Sequence, residues 1–143
     1  MGVTIRDIRL GEYEAARQLL MVNGWSGPRV EPARFKLLIE NAHDAVVAVD
    51  GESVVGFARA IGDGIADGYL TMLVVDAAYR NQGIARALVA HVTRDDPDMT
   101  WVLRAACTDV QGFYEKLGFR MSSVAMERVR KPAPQTHDQG RTT

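Results

Sequence analysis

The sequence predicts a single α/β domain built on a mixed, mostly antiparallel sheet flanked by helices. Three observations carry this. Three β-rich runs between residues 45 and 75 follow one another through tight turns, the pattern of an antiparallel meander. A helical period over 83–93 then separates two strand runs, the pattern of a crossover. Amphipathic segments before residue 40 supply helices to cover the sheet.

The elements follow in order. Val3 and Ile5 alternate with Thr4 and Arg6, a short first strand. From Glu12 to Met21, Tyr13, Ala16, Leu19 and Leu20 share one helical face. Residues 23–28, Asn-Gly-Trp-Ser-Gly-Pro, form a loop, and Pro32 suits the first turn of a second helix that buries Phe35, Leu38 and Ile39. Ala45–Val49 is a strand closed by the turn dipeptide Asp50-Gly51, and Ser53–Ile61 is its return. A glycine-rich loop over 62–68 leads to a third strand, Tyr69–Val75. Gly83–Thr93 is helical, with Ile84, Leu88 and Val92 four residues apart, and Thr100–Ala105 is a strand. Thr108–Leu117 is a helix opened by a Thr108/Gln111 capping box and stopped by Gly118. Phe119–Arg128 reads as a last strand, bent near Ser122-Ser123. The domain is expected over 1–130, with 131–143 a polar, disordered tail.

Bulk properties narrow the function. The 143 residues suit one domain, and 47% hydrophobic with 24% charged residues is ordinary for a globular protein. Seventeen Lys+Arg against 18 Asp+Glu leave a net charge of -1, so no whole-molecule attraction to nucleic acid or anionic membrane is expected. One cysteine, Cys107, excludes an internal disulfide and suits a reducing compartment. No run resembles a signal peptide or a membrane span, so a cytoplasmic protein is expected. His43, His91 and His137 lack ligand spacing, so no metal is expected.

Chemistry concentrates where the strand ending at Val75 turns into the helix near Gly83. A helix N-terminus there presents unpaired N–H groups that favour an anion such as a pyrophosphate. Gly83 permits close backbone approach, and Arg80 and Arg86 add charge-assisted contacts. Neither a P-loop nor a dinucleotide fingerprint is present. What fits is R-x-x-G-x-A, Arg80-Asn81-Gln82-Gly83-Ile84-Ala85.

That loop resembles the pyrophosphate loop of the GNAT superfamily of N-acetyltransferases. Residues 111–119, Gln-Gly-Phe-Tyr-Glu-Lys-Leu-Gly-Phe, resemble the family's helix-into-strand signature, one strand downstream. The order of elements over residues 3–128 agrees. The resemblance implies a splayed parallel strand pair forming an acyl-CoA cleft, with acetyl-CoA as cosubstrate and an amine as acceptor. It implies that backbone groups of Leu73, Val74 and Val75 pair with the pantetheine arm, and that the Leu73 amide faces the thioester oxygen. The loop Arg80, Asn81, Gln82, Gly83, Ile84, Ala85 and Arg86 would hold the pyrophosphate. Tyr114 stands where many members carry a tyrosine that protonates the leaving thiolate, although its place in the stripe Val110-Phe113-Tyr114-Leu117 equally explains the ring by packing.

Departures from the family pattern are Ala85 for a second glycine, Asn81 where glycine is frequent, and Cys107 where some members carry asparagine. The last transfers the expected contact to Asp109. No general base is nominated; Asp63 and Asp67 come first, then Asp76 and Glu12. A homodimer is expected from the family alone. The alternative function is an acyl-CoA-binding module without catalysis, which would bind the cofactor and release no thiol.

Overall fold

The computed structural model describes residues 2–105 and 108–131, without the side chains of residues 108 and 109. The expectations for Cys107, the Thr108 capping box, the Asp109 contact and the tail beyond residue 131 lie outside the described residues.

Five strands form one sheet in sequence order: β1 (Thr4–Asp7), β2 (Asp44–Asp50), β3 (Ser53–Gly62), β4 (Asp67–Val75) and β5 (Thr100–Val102). The first three pairings are antiparallel and β4–β5 is parallel. The β2–β3 turn places Gly51 at φ 64°, a conformation glycine adopts without a Cβ penalty. Between β3 and β4, Asp63 Oδ1 accepts the amides of Ile65, Ala66 and Asp67 at 2.8, 2.8 and 3.1 Å. Those three bonds hold its carboxyl at a pKa of about 2.

Helices α1 (Tyr13–Val22) and α2 (Pro32–Glu40) cover one face of the sheet, and α3 (Ile84–Thr93) lies on the other. Leu20, Phe35, Phe57 and Met72 belong to the first core layer, and Val46, Ala58, Leu70 and Leu88 to the second. Each fully buried apolar side chain is worth ~1.5–3 kcal/mol, so these two layers hold the sheet between the helices. Helix α4 (Thr108–Lys116) follows β5. Gly118 ends it at φ 98°, and the Phe119 amide returns to the Tyr114 carbonyl at 3.1 Å.

Two expected strands differ. β5 stops at Val102 rather than Ala105. Residues 119–128 form no strand at all. Ser122 Oγ accepts the amides of both Val124 and Ala125, at 3.0 and 2.9 Å, so local turn bonds replace a ladder there. Met121, Val124 and Met126 stay exposed. Alternation in the sequence was real, but alternation does not supply a pairing partner.

Candidate active site

The site begins where β4 and β5 part. Their register runs Asp67↔Thr100, Gly68↔Trp101 and Tyr69↔Val102, and no further pair follows. Gly68 is what lets the strands meet there: a Cβ on it would lie 2.5 Å from an indole carbon of Trp101. Beyond Tyr69, β4 continues alone on that side to Val75.

Within this unpaired stretch β4 bulges. Phe57 pairs with Val74 and Arg59 with Thr71, so Met72 and Leu73 together oppose Ala58. Met72 takes φ 57°, a left-handed conformation rare for a non-glycine residue. A bulge leaves its extra residue out of the ladder and re-aims the neighbouring groups. Leu73 therefore has no register partner on β3, and β5 has already ended on its other side.

After Val75 a short 3-10 turn at Ala77–Tyr79 leads to the loop. Asp76 Oδ1 accepts the Ala78 amide at 2.9 Å, and the Tyr79 hydroxyl donates to Asp50 Oδ2 at 2.7 Å. This second bond raises the Tyr79 pKa and fastens the loop to the β2 end. Asn81 stands at φ 65° and Gly83 at φ 84°, two left-handed residues within one turn. Asparagine tolerates that conformation better than most residues. Gly83 caps α3 with no side-chain hydrogen bond. The first bond onto the helix is from the Ala87 amide to the Gly83 carbonyl at 3.0 Å, so the amides of Ile84, Ala85 and Arg86 precede the intrahelical ladder.

A cavity of about 540 Å³ opens in front of these groups. Of the residues singled out from the sequence, Leu73, Val74, Val75, Arg80, Asn81, Gly83, Ile84, Ala85, Arg86 and Tyr114 all line it. Gln82 is exposed in the turn and does not. Among the described residues the lining contains three cations, Arg80, Arg86 and Lys116, and no carboxylate. In a chain of net charge -1, that is a local concentration of positive charge.

Side chains brace the walls. Arg80 Nε donates to the Val75 carbonyl at 3.2 Å, and its guanidinium also bonds Asn23 Oδ1. Arg86 donates to the Lys116 carbonyl at 3.2 Å, tying the start of α3 to the end of α4. Tyr114 is 5% exposed and makes edge contacts with Phe113 and Phe119, at centroid distances of 5.1 and 6.0 Å. It packs as the stripe required, and it also lines the cavity. Trp25 packs against the α1–α2 core and lines the cavity too.

The four carboxylates weighed as bases lie elsewhere. Asp63, Asp67, Asp76 and Glu12 do not line this cavity. Glu12 forms a two-pronged bond with Arg6, at 3.0 and 2.6 Å, which lowers its pKa. Asp63 is held ionised by its three amides and is a weak proton acceptor.

Sequence reasoning missed Asn23, Tyr79 and Lys116 as lining residues, and it missed Arg59. A cation inside the apolar run Phe57-Ala58-Arg59-Ala60-Ile61 was the available signal. Arg59 is 8% exposed, and its Nε donates to the Leu38 carbonyl at 3.1 Å.

Residues 41–121 match the family described as Acetyltransferase (GNAT) domain. Peptidyl-lysine N-acetyltransferase YjaB of Salmonella typhimurium is 30% identical over 90 residues, 62% of this chain and 59% of that protein. GCN5-related N-acetyltransferase 1, chloroplastic, of Arabidopsis thaliana is 30% identical over 98 residues, 64% of this chain and 49% of that protein. The chain thus spans between half and three-fifths of the length of these curated relatives. A GNAT-family acetyltransferase structure from Streptococcus pneumoniae superposes with TM-score 0.73 at 23% identity, covering 92% of this chain and all of that one. Among the described residues, no helix is long and apolar enough to cross a membrane, and no cluster of His, Cys, Asp and Glu could hold a metal ion.

Proposed function

The chain belongs to the GNAT acetyltransferase family, and from that premise we propose that it transfers an acetyl group from acetyl-CoA to a primary amine by direct attack in a ternary complex. The observation that carries this is the cavity lined by the end of β4, the loop into α3 and one side of α4. Uncapped amides of Ile84, Ala85 and Arg86, with three cations and no carboxylate among the described lining residues, suit a diphosphate. The unpaired β4 edge leaves backbone groups for an extended amide-bearing arm. The residues present fit the cosubstrate.

Acetyl-CoA supplies an acyl thioester whose thiol, with a pKa of about 8.5, is a tolerable leaving group. Arg80, Asn81, Gly83, Ile84, Ala85 and Arg86 bind the diphosphate. Leu73, Val74 and Val75 orient the pantetheine arm through backbone groups. The Leu73 amide, in its bulge, stabilises negative charge growing on the acyl oxygen, an effect worth ~3–4 kcal/mol at comparable sites. The amine nitrogen forms the C–N bond as the C–S bond breaks. The Tyr114 hydroxyl gives its proton to the departing sulfur and regains one from solvent. The amine's own proton leaves to water, consistent with a lining that holds no carboxylate among the described residues.

Thiol release tests this reading. Acetyl-CoA is supplied with polyamines, amino acids, aminoglycosides, lysine peptides and peptide N-termini. We expect at least one class to raise release tenfold or more above hydrolysis. Binding of acetyl-CoA without release for any amine would leave a binding module, and absence of binding would overturn the reading altogether.

A further inference from the structure

Arg59 sits on β3 beside Thr71 of β4, two residues before Leu73 and on the near side of the Met72 bulge. It is more than nine-tenths buried, on the side of the sheet covered by α2, where its Nε meets the Leu38 carbonyl. Among the described residues its two terminal nitrogens have no hydrogen-bond acceptor, and no carboxylate pairs with it. Among the described residues Trp101 Nε1 is the one fully buried side-chain nitrogen or oxygen without a partner, so the Arg59 terminal nitrogens keep some contact with solvent.

A second cation, Arg29, lies within electrostatic reach of Arg59. Arg29 is half-buried, also without a carboxylate partner among the described residues. Its guanidinium lies 5.3 Å from the ring centre of Trp25, which lines the cavity in front of Leu73. Tyr69, the last β4 residue paired with β5, lies near both Arg29 and Arg59. Burial lowers the pKa of both arginines, and each is lowered further by a like charge: Arg130 and Arg104 beside Arg29, and Arg29 beside Arg59. Arg104 itself is neutralised by Glu127 at 3.2 Å. Arginine is rarely buried without a counter-ion, since removing its charge from water is costly unless an anion repays it. Here the fold collects two such side chains, and no carboxylate among the described residues pairs with either.

We propose that Arg59 and Arg29 form the anion subsite of the acceptor pocket: the amine that is acetylated carries a carboxylate or a phosphate, held by these two arginines while its nitrogen reaches Leu73. This rests on the acetyltransferase reading and narrows its acceptor class. Trp25 joins the two halves, one part of the indole walling the acyl cavity and its ring face covered by Arg29. Guanidinium groups recognise both anions through paired N–H donors, so either source is chemically competent. A polyamine or an unmodified lysine side chain would instead meet like charge.

The test uses unreactive and reactive probes on the full chain. Glutarate and inorganic phosphate are titrated by calorimetry, with 1-pentanol as the neutral control, into the protein and into Arg29→Gln and Arg59→Gln. We expect one anion to bind, the alcohol not to, and affinity to fall at least tenfold in each folded variant. Arg29→Gln, at a half-exposed position, keeps the test alive if Arg59→Gln fails to fold. In turnover, 4-aminobutyrate is compared with butylamine and phosphoethanolamine with ethanolamine. The ratio of kcat/KM, anionic over neutral, exceeds ten for the favoured pair and collapses in the variants. Which pair responds separates carboxylate from phosphate. Failure of both anions to bind, or binding that both substitutions leave unchanged, overturns the subsite even if acetyl-CoA binds and neutral amines react. Loss of acetyl-CoA binding and thiol release with anion binding intact overturns the acetyltransferase reading instead.

Discussion

Arg80 Nε donates to the carbonyl of Val75 at 3.2 Å, so the first residue of the anion-binding loop folds back onto the last residue of the strand it follows. The same guanidinium reaches Asn23, which pins it across the cavity wall. Binding of a diphosphate competes for this side chain. We expect Arg80→Gln to raise the Kd for CoA about tenfold, the scale of one lost charge-assisted hydrogen bond. Wild-type affinity falls with added salt, and the variant responds less steeply. Calorimetry at two ionic strengths checks both statements.

Tyr114 offers a cleaner separation of packing from chemistry. Its ring is buried against Phe113 and Phe119, so Tyr114→Phe keeps those contacts and leaves the melting temperature close to wild type. If the hydroxyl protonates the leaving sulfur, kcat falls about tenfold or more while KM for acetyl-CoA hardly moves. An unchanged kcat would leave the residue with packing alone. Tyr114→Ala serves as the contrast, with a stability loss of ~3–5 kcal/mol.

Stability should respond oppositely at two glycines. An added Cβ at Gly68 lies 2.5–2.6 Å from three carbons of Trp101, so Gly68→Ala forces the indole away from the β4–β5 junction. Overpacking of this kind costs ~1–3 kcal/mol. Gly112 lies inside α4, and a Cβ there meets nothing within 4 Å, so Gly112→Ala stabilises by ~0.5–1 kcal/mol. Urea unfolding of the two variants measures both signs.

The loop before β4 carries a pH signature. Asp63 accepts three amides in the fold, which depress its pKa from 3.8 to about 2. Its contribution is therefore complete above about pH 4 and is lost as pH falls through about 2. The melting-temperature gap between wild type and Asp63→Ala is constant from neutral pH down to about 4 and closes below it. A gap that widens on acidification would contradict this assignment.

Much of the fold was legible because local and tertiary signals agreed. The turn at Asp50-Gly51, the proline opening α2 and the glycine closing α4 each demand one backbone state, and each takes it. The loop at residues 80–85 was legible for the same reason, since Gly83 at φ 84° marks the start of α3. Met72 was not, because nothing in an apolar β-run announces that one residue will turn left-handed and bulge the strand. The strand expected over 119–128 failed for want of a partner, which no pattern within the segment can reveal. Arg59 reads as one residue of a strand, and a lone cation amid Phe57, Ala58, Ala60 and Ile61 is the signal that sets it apart.

The central claim is that the cavity lined by the end of β4, the loop into α3 and α4, and not the larger one of about 1030 Å³ beside β5 and residues 119–130, receives acetyl-CoA. Amide chemical-shift mapping during titration with CoA tests it most directly. The account predicts that the largest shifts fall on Gly83, Ile84, Ala85 and Arg86, with Leu73 and Val75 following. Shifts confined to Val102, Arg104 and residues 120–130, with the Gly83–Arg86 amides unmoved, would contradict it.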